Sequence, residues 1–496
     1  MSPRWRTFLI GAVAAVLAVV VGVQIAQEEF FLAALIATGC TWALLSWVDG
    51  PRTEAWLLGF LIFAYIVGNR GFAQVTPVPG LPLFFAELGL GFAGTLFVFR
   101  SALTRASLWT STEISTVLAF WIALGAGRIG IDVRTWGIAA LRDFATVYYA
   151  GFFFVAVALC RQEASRRVLH GAITATFVVL PFTTLLADLF PRFFQTNLLI
   201  KGVPLILYKE DLAATYGYAG FLWLLVDRPG ERAWWRWPLA LTLLVNGLLG
   251  LSRASLAGVL VAAIGLAVAG QRRALATIAA VGLAGALLLT ALALLPGGSF
   301  RETRGYAVYE AVMSVTDFSG TRAYRSGFSN DKGDNNRFRL VWWRNVAEET
   351  LRDGPWLGRG FGADLAKGFV SEYMPDTASE FVTRSPHNVF VTVLGRMGLL
   401  GVAAWTAFYA AHATATVRVW RAAGRTSERT PTLFAMTWVV MVSACFGVVL
   451  EGPMGAVPFW ILLGLAYAAR TAAAAEETSA ASDERPAPER VETRHE

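Results

Sequence analysis

The stretch ALATIAAVGLAGALLLTALALL, residues 274–295, contains no charged side chain. A helix of this length reaches across a hydrocarbon core of about 30 Å, at a rise of about 1.5 Å per residue. Similar apolar blocks recur along the 496-residue chain, which is 56% hydrophobic and has a mean hydropathy of +0.53. The pattern predicts an all-α fold, a polytopic transmembrane helical bundle of about 12–14 helices, whose spans include 7–26, 141–160 and 432–450.

The short connections between apolar blocks alternate in composition. Arginine-rich connections such as RQEASRR and RVWRAAGRTSERT face the cytoplasm by the positive-inside rule, which also places both termini there. The tail is rich in Ala, Glu, Pro and Ser and has no apolar face, which is typical of disorder. The predicted organisation is transmembrane helices over 1–295, one large outer loop over 296–385, C-terminal transmembrane helices over 386–471 and a disordered cytoplasmic tail over 472–496.

The outer loop contains one stretch with helical periodicity, DNNRFRLVWWRNVAEETLRD at 334–353. Its apolar side chains recur at the spacing of one helix face. Gly354 and Pro355 then end the pattern, and the following GRGFG predicts a turn. We therefore expect an amphipathic helix that lies against the membrane domain.

Charged groups inside apolar segments are informative because each costs about 2.5–3.5 kcal/mol at a helix centre. They are Glu87, Arg128, Arg142, Asp143, Asp188, Arg253, Arg396 and Glu451, with His387 at the mouth of a helix. Each one alone is also explained as a boundary residue that snorkels to the interface. Most fall toward the outer half, where arginine is normally depleted, so the set predicts a cationic cavity that opens outward.

An arginine-rich cavity favours an anion, and the guanidinium fork suits a diphosphate, here one delivered on a lipid carrier. Transfer of a sugar from that diphosphate to a hydroxyl needs a base and positive charge near the leaving group. One base and one displacement invert the anomeric carbon, without a metal or another cofactor. His387 is the candidate base, because His170 and His412 lie toward cytoplasmic helix ends. The alternative for His387 is a helix-terminal residue without chemistry.

The sequence does not support a nucleic-acid-binding site or a metal site. The net charge is +7, but no interleaved basic and aromatic motif indicates nucleic-acid binding. Cys40, Cys160 and Cys445 lie in apolar blocks without metal-ligand spacing. We expect no metal, no cofactor and no nucleic-acid partner.

Four stretches together resemble the bacterial superfamily of O-antigen ligases and O-antigen polymerases, which are membrane glycosyltransferases. They are LSRASLAGVL (251–260), RFRLVWWRNVAEETLRDGPWLGRGFGADL (337–365), SPHNVFVTVLGRMGLLG (385–401) and EGPMGAVPFWILLGLA (451–466). The resemblance covers about residues 115–470 and is strongest over 250–401. The order Ser-Arg, Arg-Leu-x-Trp-Trp, Gly-x-Gly-x-Gly, His-Asn, Gly-x-x-Gly carries it.

The resemblance implies a periplasmic loop with an essential arginine and histidine, which match Arg339 and His387. The arginine of the Ser-Arg motif matches Arg253, and Arg253 and Arg339 are expected to bind the diphosphate. Arg337 and Arg344 remain alternatives to Arg339. The further expected substrate contacts are Arg142, Arg128, Lys209, Asp211 and Asn388, with Glu87 as a partner for Arg128 or Arg142. Lys209 and Asp211 stand in a Lys-Glu-Asp sequence where the family often carries a Lys-Pro-Gly-Asp-like turn.

The function implied is a metal-independent, inverting glycosyltransferase at the periplasmic face of the bacterial inner membrane. It would move a glycan from undecaprenyl diphosphate to an acceptor sugar hydroxyl. A ligase would use lipid A-core as acceptor, an O-antigen or exopolysaccharide polymerase another lipid-linked glycan, and a protein O-glycosyltransferase is a third option. The alternative class is a flippase or transporter of lipid-linked oligosaccharides, although no clear internal repeat supports it.

Overall fold

The computed structural model describes residues 30–77, 83–104, 112–225, 234–250, 252–294, 327–373, 384–422 and 429–483, with Val19, Val21, Gln24, Tyr306 and Glu310. The helices are α1 (Phe30–Asp49), α2 (Pro51–Phe63), α3 (Asn69–Gln74), α4 (Phe85–Thr104), α5 (Ser115–Trp136), α6 (Ile138–Asp143), α7 (Ala145–Tyr148), α8 (Gly151–Leu159), α9 (Glu163–Leu189), α10 (Pro191–Thr196), α11 (Glu210–Leu225), α12 (Arg236–Leu249), α13 (Arg253–Val268), α14 (Arg273–Leu294), α15 (Gly327–Asp353), α16 (Lys367–Tyr373), α17 (Val389–Arg421), α18 (Arg429–Ala444) and α19 (Pro453–Asp483). A π-helical turn, Ala64–Gly68, joins α2 to α3, and β1 (Leu199–Ile200) pairs antiparallel with β2 (Val203–Pro204).

Long apolar helices confirm the all-α, multi-pass prediction. Within the described residues, six helical segments are long and apolar enough to cross a membrane. They are Pro51–Gln74, Ser115–Trp136, Ile138–Leu159, Glu163–Leu189, Val389–Arg421 and Pro453–Ala474. Shorter apolar helices lie at Ala33–Trp42, Arg236–Leu249, Arg253–Val268 and Arg273–Leu288. The predicted first span, 7–26, falls almost entirely outside the described residues, so the total count stays a prediction.

The sequence predictions for residues 141–160 and for the tail differ from the structure. The expected single helix over 141–160 is divided among α6, α7 and α8. At the first break the Thr146 hydroxyl donates to the Asp143 carbonyl at 2.9 Å, a side-chain bond that competes with the helical ladder. The predicted disordered tail is helical as far as Asp483, because the alanines of its first turn have the highest helix propensity. Residues 484–496 lie outside the described residues.

Small residues let helices α13 and α18 approach closely. A Cβ on Gly258 would lie 2.6 Å from the Val439 carbonyl oxygen, so only glycine fits there. Helix α13 begins at Arg253, and α18 is followed by an irregular segment, 445–452, instead of the predicted continuation to 450. The close pair therefore brings the start of α13 beside that segment.

The long loop has a small core of its own. Trp342 and Val346 on α15 pack with Leu365 and Phe369, and Trp342 Nε1 donates to the Leu365 carbonyl at 2.7 Å. Val391 of α17 packs against this cluster. Helix α15 contains the predicted amphipathic stretch and ends before Gly354 as expected, so the loop carries a folded unit docked on a spanning helix.

Candidate functional site

His387 immediately precedes α17. Asn388 is the N-cap, and its Oδ1 accepts the N–H groups of Phe390 at 2.9 Å and Val391 at 3.2 Å. His387 has a φ of 57°, a left-handed conformation that residues other than glycine rarely adopt. Its main-chain N–H donates to Ser385 Oγ at 3.3 Å. The helix start and the preceding turn therefore fix the backbone that carries the imidazole.

Two tryptophans of α15 lie against this turn. The Trp342 ring meets the His387 ring edge-on, with centroids 6.0 Å apart, and Trp343 Nε1 donates to the Pro386 carbonyl at 2.6 Å. His387 Nδ1 is buried and has no hydrogen-bond partner among the residues that the structure describes. The ring thus keeps Nδ1 uncommitted to the described residues while Trp342 packs against it.

Charged side chains of α15 and of the start of α11 act on His387. Burial, then Arg339, then Lys209 lower its pKa from the usual 6.5 to about 4, and Asp211 opposes them. Lys209 and Asp211 form an ion pair at 3.1 Å. The ring is therefore neutral at physiological pH, as a general base must be, and the field at the ring is net positive.

Arg339 and Arg253 lie close enough to disfavour each other's charge. Burial lowers the pKa of Arg339, Arg253 lowers it further, and Asp211 opposes both. Arg339 Nη1 donates to the Phe446 carbonyl of segment 445–452 at 2.8 Å. Two neighbouring guanidinium groups favour an anion between them, and a diphosphate offers the bidentate oxygens they bind best. We call His387, Arg339, Arg253, Lys209 and Asp211 the His387 cluster.

Lys209 and Asp211 are positioned from both sides. The buried Asn69, at a φ of 51°, accepts the Lys209 N–H on its Oδ1 at 2.9 Å. On the other side, the Thr215 hydroxyl donates to the Asp211 carbonyl at 2.7 Å, and the Ser255 hydroxyl donates to it at 3.2 Å. Ser255 lies in the first turn of α13, so the same contact fixes Asp211 relative to the start of the Arg253 helix.

A second group of charges, the turn cluster, holds the GRGFG turn. Arg396 pairs with Asp143 at 2.8 Å and donates to the Ala363 and Gly360 carbonyls. The Asp143 carboxylate also accepts the Gly362 N–H at 2.9 Å. Asp132 accepts the Phe361 N–H at 2.7 Å and Arg128 Nε at 3.0 Å. The turn cluster comprises Arg128, Asp132, Asp143 and Arg396.

Backbone contacts also attach the turn to α17. Gly398 interrupts that helix with a φ of 63°. There the Leu399 N–H donates to the Pro355 carbonyl at 2.8 Å, the Leu400 N–H to the Trp356 carbonyl at 3.2 Å and the Arg359 N–H to the Gly395 carbonyl at 2.8 Å. A Cβ on Gly358 would lie 2.6 Å from the backbone of α17. The loop is thus joined to α17 mainly by main-chain bonds.

The predicted substrate contacts divide between these places. His387, Arg339, Arg253, Lys209 and Asp211 come together, whereas Arg128 pairs with Asp132 and lines a cavity of about 510 Å³ with residues 353–359. Arg142 is exposed on α6. No cluster of His, Cys, Asp or Glu side chains able to hold a metal ion occurs in the described part of the chain.

The expected partnership of Glu87 with an arginine is wrong. Its carboxylate accepts the hydroxyls of Tyr148 at 2.7 Å and Tyr149 at 2.5 Å, and also the Phe84 N–H at 2.9 Å. These donors satisfy the carboxylate without a cation.

Sequence analysis missed Asn69 and Ser385 as supporting residues. The tetrapeptide GNRG at 68–71 carries a usable signal, because two polar residues between glycines interrupt an apolar helix. Ser385 offers no such signal, since a serine before a helix is common.

Residues 238–406 match a family model described as O-antigen ligase. The matched region runs from α12 into α17 and contains Arg253, Arg339 and His387. No curated protein matches the chain. The O-antigen ligase domain at residues 238–406 supports the place of this chain in the superfamily of O-antigen ligases and polymerases.

Proposed function

We propose that the chain is a metal-independent, inverting glycosyltransferase that moves a glycan from undecaprenyl diphosphate to an acceptor sugar hydroxyl. The family match supports an O-antigen ligase-like glycosyltransferase in general. The observation that carries the finer proposal is the His387 cluster, where a neutral, half-buried imidazole lies in a net positive field. We place the site at the periplasmic face of the bacterial inner membrane, with both termini in the cytoplasm.

In the proposed reaction, Arg339 and Arg253 bind the two phosphates and Lys209 adds a third positive charge. The acceptor oxygen attacks the anomeric carbon while His387 takes the hydroxyl proton. The bond from that carbon to the diphosphate oxygen breaks, and the negative charge that develops there is stabilised by the arginines. A single displacement inverts the anomeric carbon. Arg142 remains a proposed contact to a more distant part of the substrates, whereas the pairing of Arg128 with Asp132 and the capping of α17 by Asn388 favour structural roles for those two.

The test uses purified protein in liposomes with an undecaprenyl diphosphate-linked oligosaccharide, an acceptor glycan and a chelator. Release of free carrier and the size of the glycan product are followed together. We expect carrier release only with acceptor, and His387→Ala to reduce it by about 10²–10⁴-fold, the usual contribution of a general base. His170→Ala is the matched control, because His170 packs against Trp223 outside the His387 cluster.

Product length separates the subclasses, since a polymerase yields lengthening lipid-linked chains and a ligase a single transfer to lipid A-core. A peptide acceptor tests the protein O-glycosyltransferase. Movement of the donor across the bilayer without any carrier release would overturn the proposal in favour of a flippase.

A further inference from the structure

Glu451 is a carboxylate that the proposed reaction does not use. It lies in segment 445–452, immediately before α19, and its Oε1 accepts two hydroxyls: Ser385 at 2.6 Å and Thr392 at 2.9 Å. Burial raises the pKa of Glu451, and the two hydroxyls and Arg396 act in the opposite direction. A half-buried carboxylate held between helix ends at this cost is expected to have a specific task.

The two hydroxyls lie on either side of His387 in the sequence. Ser385 donates its proton to Glu451, and its oxygen lone pair accepts the His387 N–H at 3.3 Å. Thr392 lies in the first turn of α17, where its N–H donates to the Asn388 carbonyl at 2.9 Å. One carboxylate oxygen therefore ties the turn before His387 to the helix after it.

The backbone of His387 needs such a tie. Its φ of 57° lies in the left-handed region, which a residue with a Cβ leaves readily unless its surroundings determine it. The bond from the His387 N–H to Ser385 Oγ acts directly on that conformation. The short bond from Ser385 Oγ to Glu451 keeps the Ser385 hydroxyl from rotating.

Glu451 also lies between the two charged clusters. Arg396 and Asp143 of the turn cluster both influence its ionisation, while Ser385 connects it to the His387 turn. The segment that carries Glu451 also supplies the Phe446 carbonyl that accepts Arg339 Nη1. One irregular segment thus supports both the candidate base and a candidate diphosphate ligand.

We infer that Glu451, acting through the Ser385 hydroxyl, is a positioning residue that holds His387 in its left-handed conformation and so sets where the imidazole meets the acceptor hydroxyl. The inference rests on the proposed function. Glu451 takes no proton from the substrate and binds no phosphate; its effect passes through one hydroxyl and one backbone N–H.

The test measures kcat and the donor KM of the chain in liposomes for four variants. Ser385→Ala removes the bridge, and we expect kcat to fall by about 10–100-fold, as for a displaced catalytic group, with donor KM within about twofold because Arg339 and Arg253 are untouched. Ser385→Thr keeps the hydroxyl and should restore most of kcat. Glu451→Gln keeps an acceptor oxygen and should retain more activity than Glu451→Ala.

Thr392→Val is the matched control, since it removes the other hydroxyl of Glu451 without touching the bridge to His387. We expect a smaller fall in kcat than for Ser385→Ala. Thermal unfolding in detergent is measured for every variant, to identify any variant that has lost its fold. If Glu451→Ala is unstable, the kcat of Ser385→Ala decides whether the positioning role holds.

The outcomes separate this inference from the proposed function. A wild-type protein that releases no carrier with any acceptor overturns the proposed function. An active wild type with unchanged kcat in Ser385→Ala, or with a loss confined to donor KM, overturns the positioning role alone. Equal losses in Ser385→Thr and Ser385→Ala overturn it as well, since the hydroxyl then makes no difference.

Discussion

The His387 cluster and the turn cluster contain similar residues but use charge differently. In the turn cluster Arg396 meets Asp143 and Arg128 meets Asp132, and both carboxylates also accept backbone N–H groups of the glycine turn. In the His387 cluster Arg253 and Arg339 disfavour each other's charge, and Arg339 and Lys209 disfavour protonation of His387. The first arrangement pairs each arginine with a carboxylate, whereas the second brings two arginines close together beside His387.

The two clusters show that arginines found by the same sequence pattern can have different surroundings. A charged residue in an apolar segment is expensive in either cluster, so the sequence pattern selects both. The contacts distinguish them: a paired arginine that binds a turn holds structure, and an arginine beside another cation favours ligand binding. Substitutions in the turn cluster should therefore reduce stability, and those in the His387 cluster should reduce activity.

Arg396→Ala should give the largest loss of stability. It removes the closer ion pair of the Asp143 carboxylate, which is 13% exposed and keeps Arg384 at 3.9 Å, and breaking a buried pair from one side costs about 3–5 kcal/mol. Thermal unfolding in detergent measures the loss. The double variant Asp143→Ala/Arg396→Ala removes both charges of this pair and should lose less than the two single variants combined. Additive losses would contradict the assignment of this pair.

Arg339→Lys should mainly affect the donor. The charge stays but the planar fork is lost, and we expect the donor KM to rise by about 10-fold or more. Stability should be unchanged. Arg344→Lys is the matched control on α15, because Arg344 is exposed and pairs with Glu348. If Arg344→Lys raised the donor KM as much as Arg339→Lys, the assignment of Arg339 to donor binding would be contradicted.

The pH dependence of activity tests the electrostatics of the His387 cluster. Because burial, Arg339 and Lys209 lower the pKa of His387 to about 4, kcat/KM should stay level well below pH 6.5, the usual histidine value. In Arg339→Gln a positive neighbour is removed, protonation becomes easier and the acidic limb should move to higher pH. A wild-type limb at the ordinary histidine value would contradict the net positive field.

Asn388 should give the smallest effect. Its Oδ1 caps α17, and a serine also caps well, so Asn388→Ser should leave stability nearly unchanged. Asn388→Ala should cost about 1 kcal/mol by loss of the cap. A large loss of turnover in Asn388→Ser, with stability intact, would instead assign the amide nitrogen to substrate binding.

Sequence reasoning succeeds where the signal is local. Apolar runs of helical length predict the spans, and Gly354 and Pro355 predict the end of α15. The arrangement around Lys209 is beyond such reasoning, because its N–H bonds to Asn69, 140 residues away. The wrong partner for Glu87 has the same cause, since its hydroxyl donors lie 61 and 62 residues further along the chain.

The same difference between local signals and tertiary contacts applies to the functional residues. The charged groups Arg396 and Glu451 are conspicuous in the sequence because of their cost, but their partners are not. Arg339 is identified by the order of short motifs and His387 also by its place at a helix mouth, but only the folded chain brings Arg253 and Lys209 beside them. Residue type thus predicts that a group is important, and tertiary contacts decide what it does.

The interruption of α17 at Gly398 determines which sequence changes the loop segment 355–359 should tolerate. Amides and carbonyls of α17 near Gly398 bond to the main chain of residues 355–359. Such main-chain bonds do not depend on which side chains are present, but they do depend on the number of residues between them. Apart from Gly358, and Arg359 whose side chain pairs with Glu349, residues 355–359 should accept many substitutions, whereas adding or removing one residue would shift every donor past its acceptor. In natural variants and in engineered chimeras alike, the length of this segment should vary far less than its composition.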